Sequence, residues 1–273
     1  MTDSSPLSLD EIKKIELDLL IELRNICTQL GLRYYLIGGT LLGAIRHQGF
    51  IPWDDDVDVG MPRSDYNRLI EWSKQYQHRH YQWLFCENGQ NLLPFGKLVD
   101  TRTKLWAQYS DDEIHRHVWI DIIPLDGLPE NMDEVQKIYR QAFFYRRIFN
   151  ICGARLGEGQ NLWKKIARII AKPILLSLKW RSRSALYLNR LAMQYDYDAS
   201  EYVGAISWGL YGQAERMKKS AIGDACEVVF EQEKFNTFCC WDEYLKSLYG
   251  DYMTLPPSNQ RKSHHIMAWL TNH

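Results

Sequence analysis

Trp53-Asp54-Asp55-Asp56-Val57-Asp58-Val59 puts four carboxylates into five consecutive positions and begins fourteen residues after Gly39 of the turn Ile37-Gly38-Gly39-Thr40. If Val57-Asp58-Val59 lies in a strand, side chains alternate between its faces. Asp54, Asp56 and Asp58 then share one face, and Val57 and Val59 pack on the other. Ionised carboxylates this close repel one another, and burial makes each costlier. A divalent cation removes the conflict, and oxygen-only ligands select Mg2+ or Mn2+. The glycine turn upstream offers backbone N–H groups to a phosphate. The pattern predicts a metal-dependent phosphate-transfer site.

Moving toward the N-terminus, Ile12, Ile15, Leu19, Leu23 and Ile26 recur at helical spacing and predict an amphipathic helix over Asp10–Leu30. Ser8 with Glu11 forms a capping-box pattern, and Gly31 stops the helix. Tyr34-Tyr35-Leu36-Ile37 reads as a short strand. Thr40–His47 reads as a short helix whose N-terminus favours anions. Beyond the aspartates, Arg63–Gln75 is expected to be helical with Ser64 as N-cap. Phe95–Val99 and Val118–Ile123 read as strands, with Pro124 closing the second. A carboxylate such as Asp121 inside an apolar strand needs a partner or a metal.

Composition excludes several classes. The chain has 273 residues, 45% apolar and 25% charged, with a net charge of -1, so global charge points to neither nucleic acid nor membrane. Its six cysteines form no C-x-x-C pair and are expected to be reduced, mostly buried thiols. No signal peptide is evident, and no apolar run is long enough to span a bilayer. From Gly159 to Tyr195 there are eight basic residues (Lys164, Lys165, Arg168, Lys172, Lys179, Arg181, Arg183 and Arg190) and no Asp or Glu. They interleave with apolar residues in a basic amphipathic pattern, expected to break at Pro173. It is either a solvated face over a core or a surface for an anionic acceptor or membrane. Trp241–Tyr249 is expected to be a helix stopped at Gly250.

The run from Tyr35 to Asp58 strongly resembles the LicD family of phosphocholine transferases, as does Met61-Pro62-Arg63-Ser64-Asp65-Tyr66. Phe95–Asp100, Ile120–Asp126 and Tyr249–Pro257 with Arg261 resemble it too, while Asn131 to about Lys234 is weakly constrained. The resemblance implies an α/β (α+β) fold: a nucleotidyltransferase-like small mixed sheet flanked by helices, with an added helical region. The implied organisation is an N-terminal helix on the core (1–30), a catalytic core (31–130), a basic helical region facing acceptor or membrane (131–200) and a C-terminal segment completing the site (201–273).

The resemblance further implies that Asp56, Asp58 and Asp121 bind metal and carry catalysis. Gly38, Gly39 and Thr40 hold donor phosphates; Lys97 and Arg261 contact phosphate or nucleotide. His264 and His265 are poor candidates for magnesium. Asp54 is a ligand or a support for one. Asp55 is a site residue or a turn residue paired with Arg46 or Arg63. A quaternary ammonium needs aromatic faces, for which Trp208, Tyr211, Trp106 and Trp119 are candidates. The implied activity moves phosphocholine from CDP-choline to a hydroxyl of a cell-surface glycan precursor (lipopolysaccharide or teichoic acid), releasing CMP. The acceptor can be lipid-linked, and no nucleic acid is involved. The expected location is the cytoplasm, with peripheral contact at the inner membrane face. Transfer of ribitol or glycerol phosphate, true nucleotidyl transfer, and a non-enzymatic metal- or glycan-binding module are the other readings.

Overall fold

The computed structural model describes residues 5–107, 116–154, 162–223, 225–261 and 266–271. Helix α1 (Leu9–Leu30) begins at the capping box: Ser8 Oγ accepts the Glu11 N–H at 3.3 Å, and the Glu11 carboxylate accepts the Ser8 N–H at 2.7 Å. Gly31 ends it in the left-handed region, at φ 59°. Its apolar stripe is buried, apart from the half-buried Ile15, and packs chiefly on the strands that carry the site.

Next come β1 (Tyr35–Leu36), α2 (Gly38–His47), β2 (Asp58–Pro62), α3 (Arg63–Ser73), β3 (Tyr81–Leu84), β4 (Gly96–Asp100), β5 (Thr103–Ala107) and β6 (Val118–Leu128). Helices α4 (Met132–Gly153), α5 (Leu162–Ser177) and α6 (Trp180–Ala192) follow. The chain then returns to the sheet as β7 (Tyr202–Ala205) and β8 (Met217–Lys218), then α7 (Lys219–Ile222), hairpin β9 (Cys226–Phe230) and β10 (Glu233–Thr237), α8 (Trp241–Tyr249) and β11 (Ile266–Leu270). The main sheet runs β1-β2-β6-β4-β3, with β7 on the far half of β6 and β8 on β7. Its β2–β6 pair is parallel and its other pairs are antiparallel, so the sheet is mixed and the class is α/β as expected. Seven strands make it larger than the small sheet anticipated.

Local details depart from the sequence reading. Pro124 does not close β6. The strand runs to Leu128, pairing with β4 through Ile122 and with β7 from Leu125. Pro124 falls between those two ladders, where a missing N–H interrupts neither. Ser64 does not cap α3; Pro62 takes that place, and the Ser64 hydroxyl accepts from Arg33 at 3.3 Å. Pro173 lies inside α5, and the chain turns instead at Lys179, at φ 54°. Two cysteines are not thiols: Cys226 and Cys239 form a disulfide across the β9–β10 hairpin, with Cα atoms 5.1 Å apart. Strand register, invisible in a thirteen-residue separation, brings them together. Cys27, Cys86, Cys152 and Cys240 are not disulfide-bonded. Among the described residues, no helix is long and apolar enough to cross a membrane.

Candidate active site

The site grows from strand register. Asp58 on β2 stands opposite Asp121 on β6, and Asp121 stands opposite Lys97 on β4. One row across three strands therefore carries two carboxylates and an ammonium. Lys97 Nζ lies 2.7 Å from Asp121 Oδ1. The lysine is 1% exposed, and its ammonium sits 3.9 Å from the centre of the Trp119 ring. Trp119 reaches it because it lies two residues before Asp121 on the same strand face. Burial pulls the Lys97 pKa down, while Asp121, Asp58 and Asp56 hold it up.

The aspartate run enters this row from outside the strand. β2 starts only at Asp58, so Asp54 to Val57 precede the strand, and the Val57 carbonyl accepts the Asp121 N–H at 2.8 Å. The alternation nevertheless holds: Asp54, Asp56 and Asp58 are half-buried, while Asp55, Val57 and Val59 are buried. Burial pushes the Asp58 carboxyl well above its usual range, and Asp56, Asp121 and Asp54 push it further. Of the two partners expected for Asp55, Arg63 forks onto Asp126 at 2.6 and 2.9 Å, and Arg46 donates to the Tyr252 carbonyl at 2.8 Å.

The glycine turn is fastened to the same strand. The Ile37 N–H donates to the Asp58 carbonyl at 3.3 Å, and the Asp58 N–H donates to Thr40 Oγ1 at 2.8 Å. The Thr40 hydroxyl thus accepts from the carboxylate strand. A Cβ on Gly38 would lie 3.5 Å from Asp58 Oδ2, and one on Gly39 would lie 3.1 Å from Asp54 Oδ2. Both glycines therefore face carboxylates across a space that any side chain would fill. The Gly38 N–H makes only a long bond, 3.4 Å, to the Tyr244 hydroxyl. Arg261 is brought to the start of the aspartate run, with its guanidinium 4.9 Å from the centre of the Trp53 ring and Nε donating to the Pro256 carbonyl at 2.9 Å. His264 and His265 lie outside the described residues.

Asp56, Asp58 and Asp121 suit a hard divalent ion by donor chemistry, and their mutual repulsion is the strain such an ion relieves. Among the described residues, no three acidic, histidine or cysteine side chains converge closely enough to cage an ion as they stand. Magnesium does not require a cage. It is commonly held by one or two carboxylates and completed by water and substrate phosphate.

A model of the LicD/FKTN/FKRP nucleotidyltransferase domain matches residues 31–151. The chain is also 33% identical to lipopolysaccharide cholinephosphotransferase LicD of Haemophilus influenzae over 267 residues, covering 95% of this chain and 97% of that protein. The chain belongs to the LicD family. A shorter similarity within the family, 32% over 116 residues, joins 35% of the chain to 24% of ribitol 5-phosphate transferase FKRP of Mus musculus. Human FKRP is 31% identical over 116 residues. The relatives with named activities are transferases of alcohol phosphates.

The family segment 31–151 contains Gly38, Gly39, Thr40, the aspartate run, Lys97 and Asp121. Several groups at the site lie outside it. Glu16 of α1 is 2% exposed, and its Oε2 is buried without a hydrogen-bond partner. Burial, then Asp56, Asp55 and Asp54, push its carboxyl well up. The signal was available: Glu16 interrupts the apolar stripe between Ile12 and Leu19. Tyr244, bonded to Gly38, gave no such signal. Of the aromatic candidates, Tyr211 reaches the site. Its phenol is pushed up by burial, then by Glu215, Asp58 and Asp54, and its ring meets Tyr249 edge-on at 5.1 Å. Trp119 lies against Lys97, Trp208 packs on Phe95 and Phe149, and Trp106 is exposed on β5 beside β11.

Proposed function

We propose that this chain transfers phosphocholine from CDP-choline to a hydroxyl of a cell-surface glycan, a lipopolysaccharide or teichoic acid precursor, and releases CMP. The observation that carries this reading is the Asp58–Asp121–Lys97 row set beside the Gly38-Gly39 turn. Near-complete coverage of a cholinephosphotransferase favours choline. Tyr211 and Tyr249 supply aromatic faces near Asp58 for a quaternary ammonium.

Asp56, Asp58 and Asp121 would hold Mg2+ or Mn2+, which neutralises charge on a diphosphate when bound. Gly38 and Gly39 open α2, so their N–H groups and the positive helix end bind donor phosphate. Lys97 adds a fixed positive charge with little reorganisation, because it is already buried and seated. Asp121 takes the proton of the acceptor hydroxyl. The acceptor oxygen bonds to the choline-bearing phosphorus. The bond from that phosphorus to the bridging oxygen breaks, and its electron pair leaves with CMP.

Incubation with CDP-choline, CDP-ribitol and CDP-glycerol in turn, with Mg2+, tests the reading. Choline label should enter the glycan with release of CMP, and chelation should stop it. Ribitol label moving in its place would favour the activity of the FKRP relatives. Cytidine label in the acceptor would mean nucleotidyl transfer and sink the proposal.

A further inference from the structure

The basic segment presents apolar as well as basic side chains on its outward side. Ile174, Leu176 and Leu178, at the end of α5, are 55%, 43% and 49% exposed. They lead directly into Lys179, where the chain turns into α6. On α6 the exposed residues Lys179, Arg183, Leu186 and Arg190 follow at helical spacing and form one outward stripe. The inward residues of α6, Ala185, Leu188 and Leu191, are buried, and α6 packs on α4 and α5. The outward pattern is therefore not a packing requirement.

We propose that this α5–α6 corner docks on an anionic lipid bilayer. Exposed apolar side chains set beside charges of one sign mark an interaction surface. Here the charge beside them has a single sign: Lys179, Arg183 and Arg190 are exposed, and the sequence from Gly159 to Tyr195 contains eight basic residues and no Asp or Glu in a chain whose net charge is -1. Positive charge has been gathered onto the segment that exposes its leucines and isoleucines. Apolar side chains beside Lys and Arg match the acyl boundary and the phosphate headgroups of a bilayer together. A second copy of the chain fits poorly, because a two-fold contact sets this patch against itself and like charges meet. Lys172 and Arg181 are excluded from the docking set. Lys172 donates to the Ala154 carbonyl at 2.8 Å, and Arg181 lies over the Phe149 ring. The inference is independent of what the active site transfers.

The test is co-sedimentation of the full chain with vesicles of phosphatidylcholine alone, or of phosphatidylcholine mixed with phosphatidylglycerol. The chain should bind the mixed vesicles, release with added salt, and ignore the neutral ones. The variant K179E/R183E/R190E should bind the mixed vesicles at least roughly a hundredfold more weakly, since each basic residue at such a surface is worth about fivefold. The variant I174S/L176S/L178S should also lose binding, and both should keep the wild-type circular dichroism spectrum. Absence of wild-type binding, or equal binding to both vesicle types, overturns the proposal. So does a dimer that the charge-reversed variant abolishes, which would make the patch a contact between copies.

Discussion

The Thr40 hydroxyl accepts the backbone N–H of Asp58 at 2.8 Å, so the glycine turn and the carboxylate strand are hydrogen-bonded to each other. Thr40 is 4% exposed, and removing its oxygen strands a buried donor. Thr40→Val should lower stability by about 1–3 kcal/mol. Thr40→Ser should stay close to wild type. Urea titration separates the two. Transfer activity should follow the same order, because the Val variant removes one of the two hydrogen bonds that fasten Asp58 to the glycine turn. Equal stability of the two variants would show that the bond does not matter.

Lys97 and Asp121 form the second pairing on which the site rests. Lys97→Met leaves Asp121 facing Asp58 without its counter-charge, and breaking such a buried pair typically costs about 3–5 kcal/mol. Adding Asp121→Asn should return most of that stability and none of the turnover. The comparison needs only a thermal melt and a CMP-release assay. Wild-type turnover in Lys97→Met would remove the lysine from the mechanism.

The parts of this design that could be read from the chain are the local ones. The capping box at Ser8 and Glu11, the stop at Gly31 and the end of α8 at Gly250 are each decided within a few residues. That Asp121 needs a partner was legible too, because a lone aspartate in an apolar strand is costly; that it neighbours Asp58 came from the family resemblance rather than from the residues themselves. What escaped depends on register between distant strands. Pro124 is tolerated because two different strands share β6 and leave a gap at that point. Cys226 meets Cys239 because a hairpin folds them together. Tyr244 reaches Gly38 across 206 positions, and nothing in its surroundings on α8 announces it.

Glu215 gives the protein a pH dependence near neutrality. Burial pushes its carboxyl from 4.5 up to about 7, against the pull of the Tyr211 N–H and Arg146. The folded protein therefore holds this proton more tightly than the unfolded chain does. The stability it contributes is fully present below about pH 4.5 and is lost as pH rises through 7. The loss should total roughly 3 kcal/mol once the group is ionised. Glu215→Gln should flatten this part of the profile of melting temperature against pH between 5 and 8, so the difference between variant and wild type should grow toward the alkaline end. A constant difference across that range would assign the slope to other groups.

Gly38 and Gly31 separate strain from function. Both have positive φ, 54° and 59°, so an alanine at either is strained by about 1–2 kcal/mol. They differ in what the new methyl would meet. At Gly31 nothing lies within 4 Å, whereas at Gly38 the Asp58 carboxylate is at 3.5 Å and the Tyr249 hydroxyl at 3.9 Å. Gly31→Ala should therefore lower the melting temperature and leave kcat/KM for the CDP-linked donor unchanged. Gly38→Ala should lower the melting temperature by a similar amount and also reduce kcat/KM by about a hundredfold, the scale of losing one aligned anion donor. The matched backbone cost makes Gly31→Ala the control for global destabilisation. If the two variants lose activity in parallel, the glycine turn is only a hinge between β1 and α2, and phosphate binding must be sought elsewhere.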